Sequence, residues 1–222
     1  MKYRMDFVTN SSSSSFLAFS IESHTLSGII KRFQNEIKES LLEDSPCAGF
    51  DVYGDTVEYS EVGGYYCDSP ENILEALNCL LDILMRGNEE EIYISQDEKE
   101  NEEFDLSCFN NIDSDKVKIA IEIFQERKAI LEDIEAVDFK YEDYGWGGDD
   151  DSRFDLEMFE EDVLTEMFEK IAKEHNILVD DVTEDMFYDY VADKTSVSAD
   201  IYTFDKKKGI DEASSKYYLE DC

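Results

Sequence analysis

Basic residues are what this chain most lacks. Lys and Arg total 20 against 56 Asp and Glu, a formal net charge of −36 over 222 residues. Nucleic-acid binding is driven by Lys and Arg displacing counterions from phosphates, so the balance argues against direct contact with DNA or RNA. An anionic membrane surface would repel the chain for the same reason, whereas a basic protein surface or a cation would attract it. Histidine is scarce, with only His24 and His175. The five cysteines, Cys47, Cys67, Cys79, Cys108 and Cys222, form no CxxC pair. That pattern makes a zinc site improbable and reads as reduced thiols. Long apolar runs are missing too, since nothing approaches the roughly 18 residues of a membrane span. Lys2 and Arg4 imitate a signal-peptide start, but Asp6 interrupts it. The run Phe16-Leu17-Ala18-Phe19 is also shorter than the about 7–15 apolar residues that a cleavable signal needs. The expected location is cytoplasmic, away from membranes.

Aromatic residues are plentiful, with 14 Phe and 13 Tyr in a sequence that is 42% hydrophobic. A disordered acidic chain would lack them, because such chains cannot offset the entropy of ordering. Periodicity predicts an amphipathic helix over 25–43 (Leu26, Ile29, Ile30, Phe33, Ile37) and a hairpin over 49–61 turning at Gly54-Asp55. A second helix follows, with Ser69 as N-cap, Pro70 in the first turn and Gly87 as the stop. Ile92-Tyr93-Ile94 reads as a short strand, 96–114 as a long surface loop and 114–131 as a helix. Then come a strand over 136–144, helices over 154–175 and 184–193, and a strand over 197–204. The fold class is α+β: a single compact domain of short, mostly antiparallel strands and about five amphipathic helices. Segments 57–72 and 139–154 share the order strand, glycine pair, acid, helix start. They outline two possible strand–loop–helix half-repeats within 50–95 and 136–204. Residues 1–20 form a Ser-rich opening that leads into a strand, 21–204 the globular body and 205–222 a charged, partly loose tail.

Catalytic constellations are poor. Neither Gly63-Gly64 nor Gly145-Trp146-Gly147-Gly148 matches the phosphate-binding patterns GxGxxG or GxxxxGK[ST], and no serine sits in a GxSxG elbow. The expectation is a protein that is not an enzyme and uses no cofactor. One alternative centres a small metal-dependent enzyme or ligand-binding domain on 144–152. There Asp149, Asp150 and Asp151 offer hard oxygens to Mg²⁺ or Ca²⁺, although without the ligand alternation of a calcium loop. The most distinctive chemistry is the helix over 154–175, which carries Asp155, Glu157, Glu160, Glu161, Asp162, Glu166 and Glu169. Spread on an exposed face, these carboxylates suit the basic groove of a nucleic-acid-binding protein. Trp146, the single tryptophan, is a further contact candidate beside them, because Trp is over-represented at binding hot spots. The leading expectation is therefore a non-catalytic acidic inhibitor that mimics nucleic acid and binds a basic protein partner.

The opening words Asp6-Phe7-Val8-Thr9-Asn10, then Ser11 to Ser15, then Phe16 resemble an N-terminal signature found on many uncharacterised bacterial and phage-borne proteins. The resemblance covers about the first 20 residues. It implies no activity, because the bodies behind the signature differ, but it points to a mobile-element or host-defence setting. A further alternative is that a processing or recognition system reads this signature. Flexible linkers rarely end directly in Phe-Leu-Ala-Phe, so Ser13 to Ile21 reads as an edge strand. Phe16, Ala18 and Ser20 then share one face, and Leu17, Phe19 and Ile21 the other.

Overall fold

The alternation in the opening strand decides its orientation. In the computed structural model, which describes residues 13–33, 48–63, 69–109, 112, 114–146, 161–192 and 194–221, strand β1 (Ser13–Glu22) buries Leu17, Phe19 and Ile21. Phe16, Ala18 and Ser20 on its other face are half-buried. β1 pairs antiparallel with β3 (Thr56–Val62), from Phe16 opposite Val62 to Glu22 opposite Thr56. β3 in turn forms the predicted hairpin with β2 (Gly49–Tyr53). Gly54, at φ +59°, takes the left-handed first position that a two-residue hairpin connection demands.

The six strands, completed by β4 (Ala136–Trp146), β5 (Lys194–Asp205) and β6 (Ile210–Asp221), run in the order β2-β3-β1-β4-β5-β6. The Glu135 amide donates to the Glu22 carbonyl at 2.8 Å, and the Lys206 amide to the Glu135 carbonyl at 2.9 Å. The end of β1 therefore lies beside the start of β4, and the start of β4 beside the end of β5. Both pairs are antiparallel, and the short turn between β5 and β6 makes the last pair so as well. β1 is thus an interior strand, not the expected edge. Alternation reports which face a strand buries but not which neighbours take its amides. The tail from 210 onward is also a strand. Its side chains from Asp211 to Lys216 are exposed, so over that stretch backbone pairing, helped by the Tyr202–Asp211 bond and by Tyr217 packing on the smaller unit's core, holds it in the sheet.

Chain contacts divide the protein into two compact units. The larger comprises Phe16–Tyr141 and Asp200–Ser214. Its helix α1 (His24–Lys31) is capped by Ser23, whose hydroxyl accepts from the Leu26 amide at 3.1 Å, and it buries Leu26, Ile29 and Ile30. The helix gives way to a turn at Arg32 and Phe33, short of the expected 25–43, and residues 34–43 lie outside the described residues. α2 (Ile73–Met85) starts later than Ser69-Pro70 suggested. Asn72 accepts from the Leu74 and Glu75 amides at 3.1 and 3.0 Å, while Glu75 reaches back to the Glu71 amide at 2.8 Å. The Asn72 side-chain amide also donates to Glu75 at 2.7 Å, so Asn72 and Glu75 exchange bonds in the manner of a capping box.

Ile92-Tyr93-Ile94 pairs with no strand. Instead the Asn78 side chain imitates a strand partner, donating to the Ile94 carbonyl and accepting from its amide, both at 2.9 Å. The expected loop after it contains helix α3 (Glu98–Glu103) and a 3-10 turn at Leu106–Phe109, and it sends Phe109 into the core. Phe104 meets the Phe109 and Phe124 rings at 6.4 and 5.0 Å. The helix expected over 114–131 breaks at Glu126 into α4 (Asp115–Gln125) and α5 (Arg127–Asp133). α2 packs on α4, and α1 on both α4 and α5.

The smaller unit comprises Met1–Ser15, Glu142–Ala199 and Ser215–Cys222. Its core gathers Met167 and Ile171 of α6 (Glu161–His175) with Phe187 and Val191 of α7 (Glu184–Ala192). The Phe168 and Phe187 rings lie 5.8 Å apart. Among the described residues no helix is long and apolar enough to cross a membrane.

Candidate functional site

The amphipathic pattern of α6 dictates what the smaller unit shows to solvent. Met167, Ile171 and Ala172 are buried, so at 100° per residue Glu166, Glu169 and Lys173 fall on the opposite side, where all three are exposed. Glu161 and Glu174 are exposed as well, and so are Asp185 and Asp189 of α7. Asp180 and Asp181, in the 3-10 turn Val179–Asp181 between the helices, extend the acidic surface. Glu166 is partly neutralised by Lys170 at 2.9 Å. Of the residues expected to carry function, Glu161, Glu166 and Glu169 therefore lie on one exposed helix. Asp162 belongs to α6 and Trp146 closes β4, but their side chains lie outside the described residues. So do Asp155, Glu157 and Glu160, and the metal candidates Asp149, Asp150 and Asp151.

The α6–α7 connection is built by its own sequence. Asn176 adopts φ 55°, a left-handed conformation that Asn tolerates better than other non-glycine residues. The Ile177 amide then turns back to the Ala172 carbonyl at 3.0 Å, closing the helix as a Schellman motif. Thr183 caps α7, its hydroxyl accepting from the Met186 amide at 3.3 Å.

Among the described residues of the larger unit the most heavily buried charge is Glu61, 4% exposed. Arg86 grips it in a fork, with Nη1 to Oε1 at 2.9 Å and Nη2 to Oε2 at 2.8 Å, and the Tyr59 hydroxyl donates to Oε2 at 2.7 Å. Buried Lys116 donates to the Arg86 carbonyl at 3.5 Å. Burial, and after it the hydrogen bond to Glu61, raises the Tyr59 phenol far above its usual value. Tyr202 is raised in the same direction by burial and by its 2.9 Å bond to Asp211. The Val57, Tyr59, Glu61 alternation was the sequence signal for this network, since it places a carboxylate on the core-facing side of a strand.

Ser23, His24 and Asp133 come together without forming a catalytic relay. The Ser23 hydroxyl donates to Asp133 itself, and the His24 ring pairs instead with Asp55 at 3.2 Å. Asp133 acts as a cap from another helix, accepting from the Thr25 amide at 2.8 Å and the Thr25 hydroxyl at 2.6 Å. Burial alone would raise its carboxyl, but the bonds from Ser23 and Thr25 outweigh that and hold it below the ordinary value.

A cavity of about 410 Å³ opens beside α2, floored by Cys79, Met85 and Ile92 and rimmed by Glu75, Asp82 and Glu91. None of its described lining residues is Lys or Arg. Among the described residues, no three His, Cys, Asp or Glu side chains converge closely enough to hold a metal ion. Comparison with protein-family models, curated proteins and solved structures returns no match for this chain.

Proposed function

We propose that this protein is a non-catalytic acidic binder that engages a basic protein partner and competes with nucleic acid for that partner's groove. The uneven charge carries this reading. Residues 142–199 hold 19 Asp and Glu against 4 Lys and Arg, a net −15 in 58 residues. The other 164 residues carry the remaining −21, half that density. Solubility alone does not require such a concentration.

From Glu161 to Glu174 the axis of α6 spans ~20 Å at 1.5 Å per residue. Four exposed carboxylates, at 161, 166, 169 and 174, lie along it. The turn and α7 add Asp180, Asp181, Asp185 and Asp189. A strand of nucleic acid offers one charge per ~3.4 Å; the carboxylates of α6 are sparser and share the helix with Lys170 and Lys173, so the turn and α7 are needed to keep the surface strongly anionic.

Capture from native lysate tests the reading, with washes at about 50 mM and about 500 mM salt and a parallel wash containing excess DNA or RNA. The expected result is a basic nucleic-acid-binding protein retained at low salt and released by both high salt and the competitor. Retention of no basic protein, or of one indifferent to salt and competitor, would count decisively against it.

A further inference from the structure

The α6–α7 connection leaves apolar surface in water. Leu178 is 72% exposed and its neighbour Val179 is 44% exposed. A single exposed leucine needs no explanation, but these two adjoin, and the loop that carries them is fixed at every step. The Schellman turn at Asn176 and Ile177 sets its entry. The Asp181 amide then bonds the Leu178 carbonyl at 3.0 Å, and the Val182 amide bonds the Val179 carbonyl at 3.1 Å. Half-buried Val182 packs against the core of the smaller unit, anchoring the loop from within.

The surroundings are predominantly acidic. Glu174, Asp180, Asp181 and Asp185 are exposed on either side of the pair in sequence, against Lys173 in the last turn of α6, and no Lys or Arg occurs between Glu174 and Asp193. An apolar centre inside a charged rim is the anatomy of a protein interface: the centre supplies affinity, and the rim supplies steering and orientation. A polyanion that acted by charge alone would have no use for an exposed Leu-Val pair.

We infer that Leu178 and Val179 are the apolar anchor of this protein's contact. They enter an apolar pocket on the partner whose Lys and Arg rim pairs with Glu174, Asp180, Asp181 and Asp185. The inference rests on the proposed function and adds to it a component of affinity that salt does not screen.

Two fluorescent helical peptides of equal positive charge provide the probe, one an amphipathic Leu/Lys repeat and the other with every Leu replaced by Gln. Anisotropy titrations with the full chain should show the Leu/Lys peptide preferred by on the order of tenfold or more, the effect of burying one or two aliphatic side chains. The Leu178→Ser, Val179→Ser double variant changes only exposed positions and should keep its melting temperature. It should lose the preference while binding the Gln/Lys peptide as before, with the same dependence on salt. A variant that keeps the preference overturns the anchor. Wild-type protein that binds both peptides equally, and in a salt-dependent way, overturns the anchor and leaves the proposed function standing. Binding to neither peptide overturns both.

Discussion

Replacing Glu61 by Gln should be among the most damaging single changes available in the larger unit. The side chain keeps its shape and can still accept from Tyr59, but its charge is lost while Arg86 remains. The Arg86 side chain is 20% exposed and its partner 4%, so water relieves little of the resulting imbalance. Removing one member of a buried pair typically costs about 3–5 kcal/mol. The residual exposure of Arg86 places the expectation at the lower end, about 3 kcal/mol. Urea unfolding followed by far-UV circular dichroism would report this as a midpoint lowered by about 1.5 M, for a slope near 2 kcal/mol per M. Replacing both partners together, Glu61→Met with Arg86→Met, exchanges the pair for apolar groups and should restore most of the loss, because the desolvation of two charges disappears with their attraction. A double-mutant cycle built from Glu61→Met, Arg86→Met and their combination then yields a coupling energy of at least about 2 kcal/mol. Additive single effects, or a Glu61→Gln loss below about 1 kcal/mol, would refute the view that this pair is a coupled, buried unit.

Asp133→Ala should destabilise by about 1 kcal/mol, since it removes the acceptor that Ser23 and Thr25 share at the start of α1. Because the native Asp133 carboxyl lies below its unfolded value, its contribution is complete above about pH 4 and fades as pH falls through the lower native value. Acid unfolding of the variant should therefore converge on that of the wild type at the most acidic pH. Tyr59 and Tyr202 are displaced the opposite way, so their contribution is present below about pH 10 and lost above it. Absorbance titration near 295 nm should show these two phenols ionising only as the chain unfolds. At Asn176, φ 55° makes Asn176→Gly neutral or stabilising by a few tenths of a kcal/mol, whereas Asn176→Val should cost about 1–2 kcal/mol. Thermal melts of both variants check this, and equal melts would contradict the left-handed cap.

The sequence by itself determined the α+β class, the antiparallel hairpin at Gly54-Asp55 and the inward stripes of α1, α2 and α6. Each follows from local periodicity and turn chemistry, which act over a few residues. The acidic, outward side of α6 was legible for the same reason. Tertiary structure decided the rest. Whether Ser69 or Asn72 caps α2 depended on which side chain could exchange bonds with Glu75. Ile92 to Ile94 looks like a strand, yet Asn78, sixteen residues before Ile94, takes the role of its neighbour. The place of β1 inside the sheet, and the pairing of β6, whose side chains from Asp211 to Lys216 are exposed, rest on amides of distant segments that no local pattern records. Asp133 and Ser23 are separated by 110 residues, and Leu178, apolar like any core leucine, stands 72% exposed after the Asn176 turn. Periodicity announces which residues seek burial, but long-range pairing alone settles which of them find it.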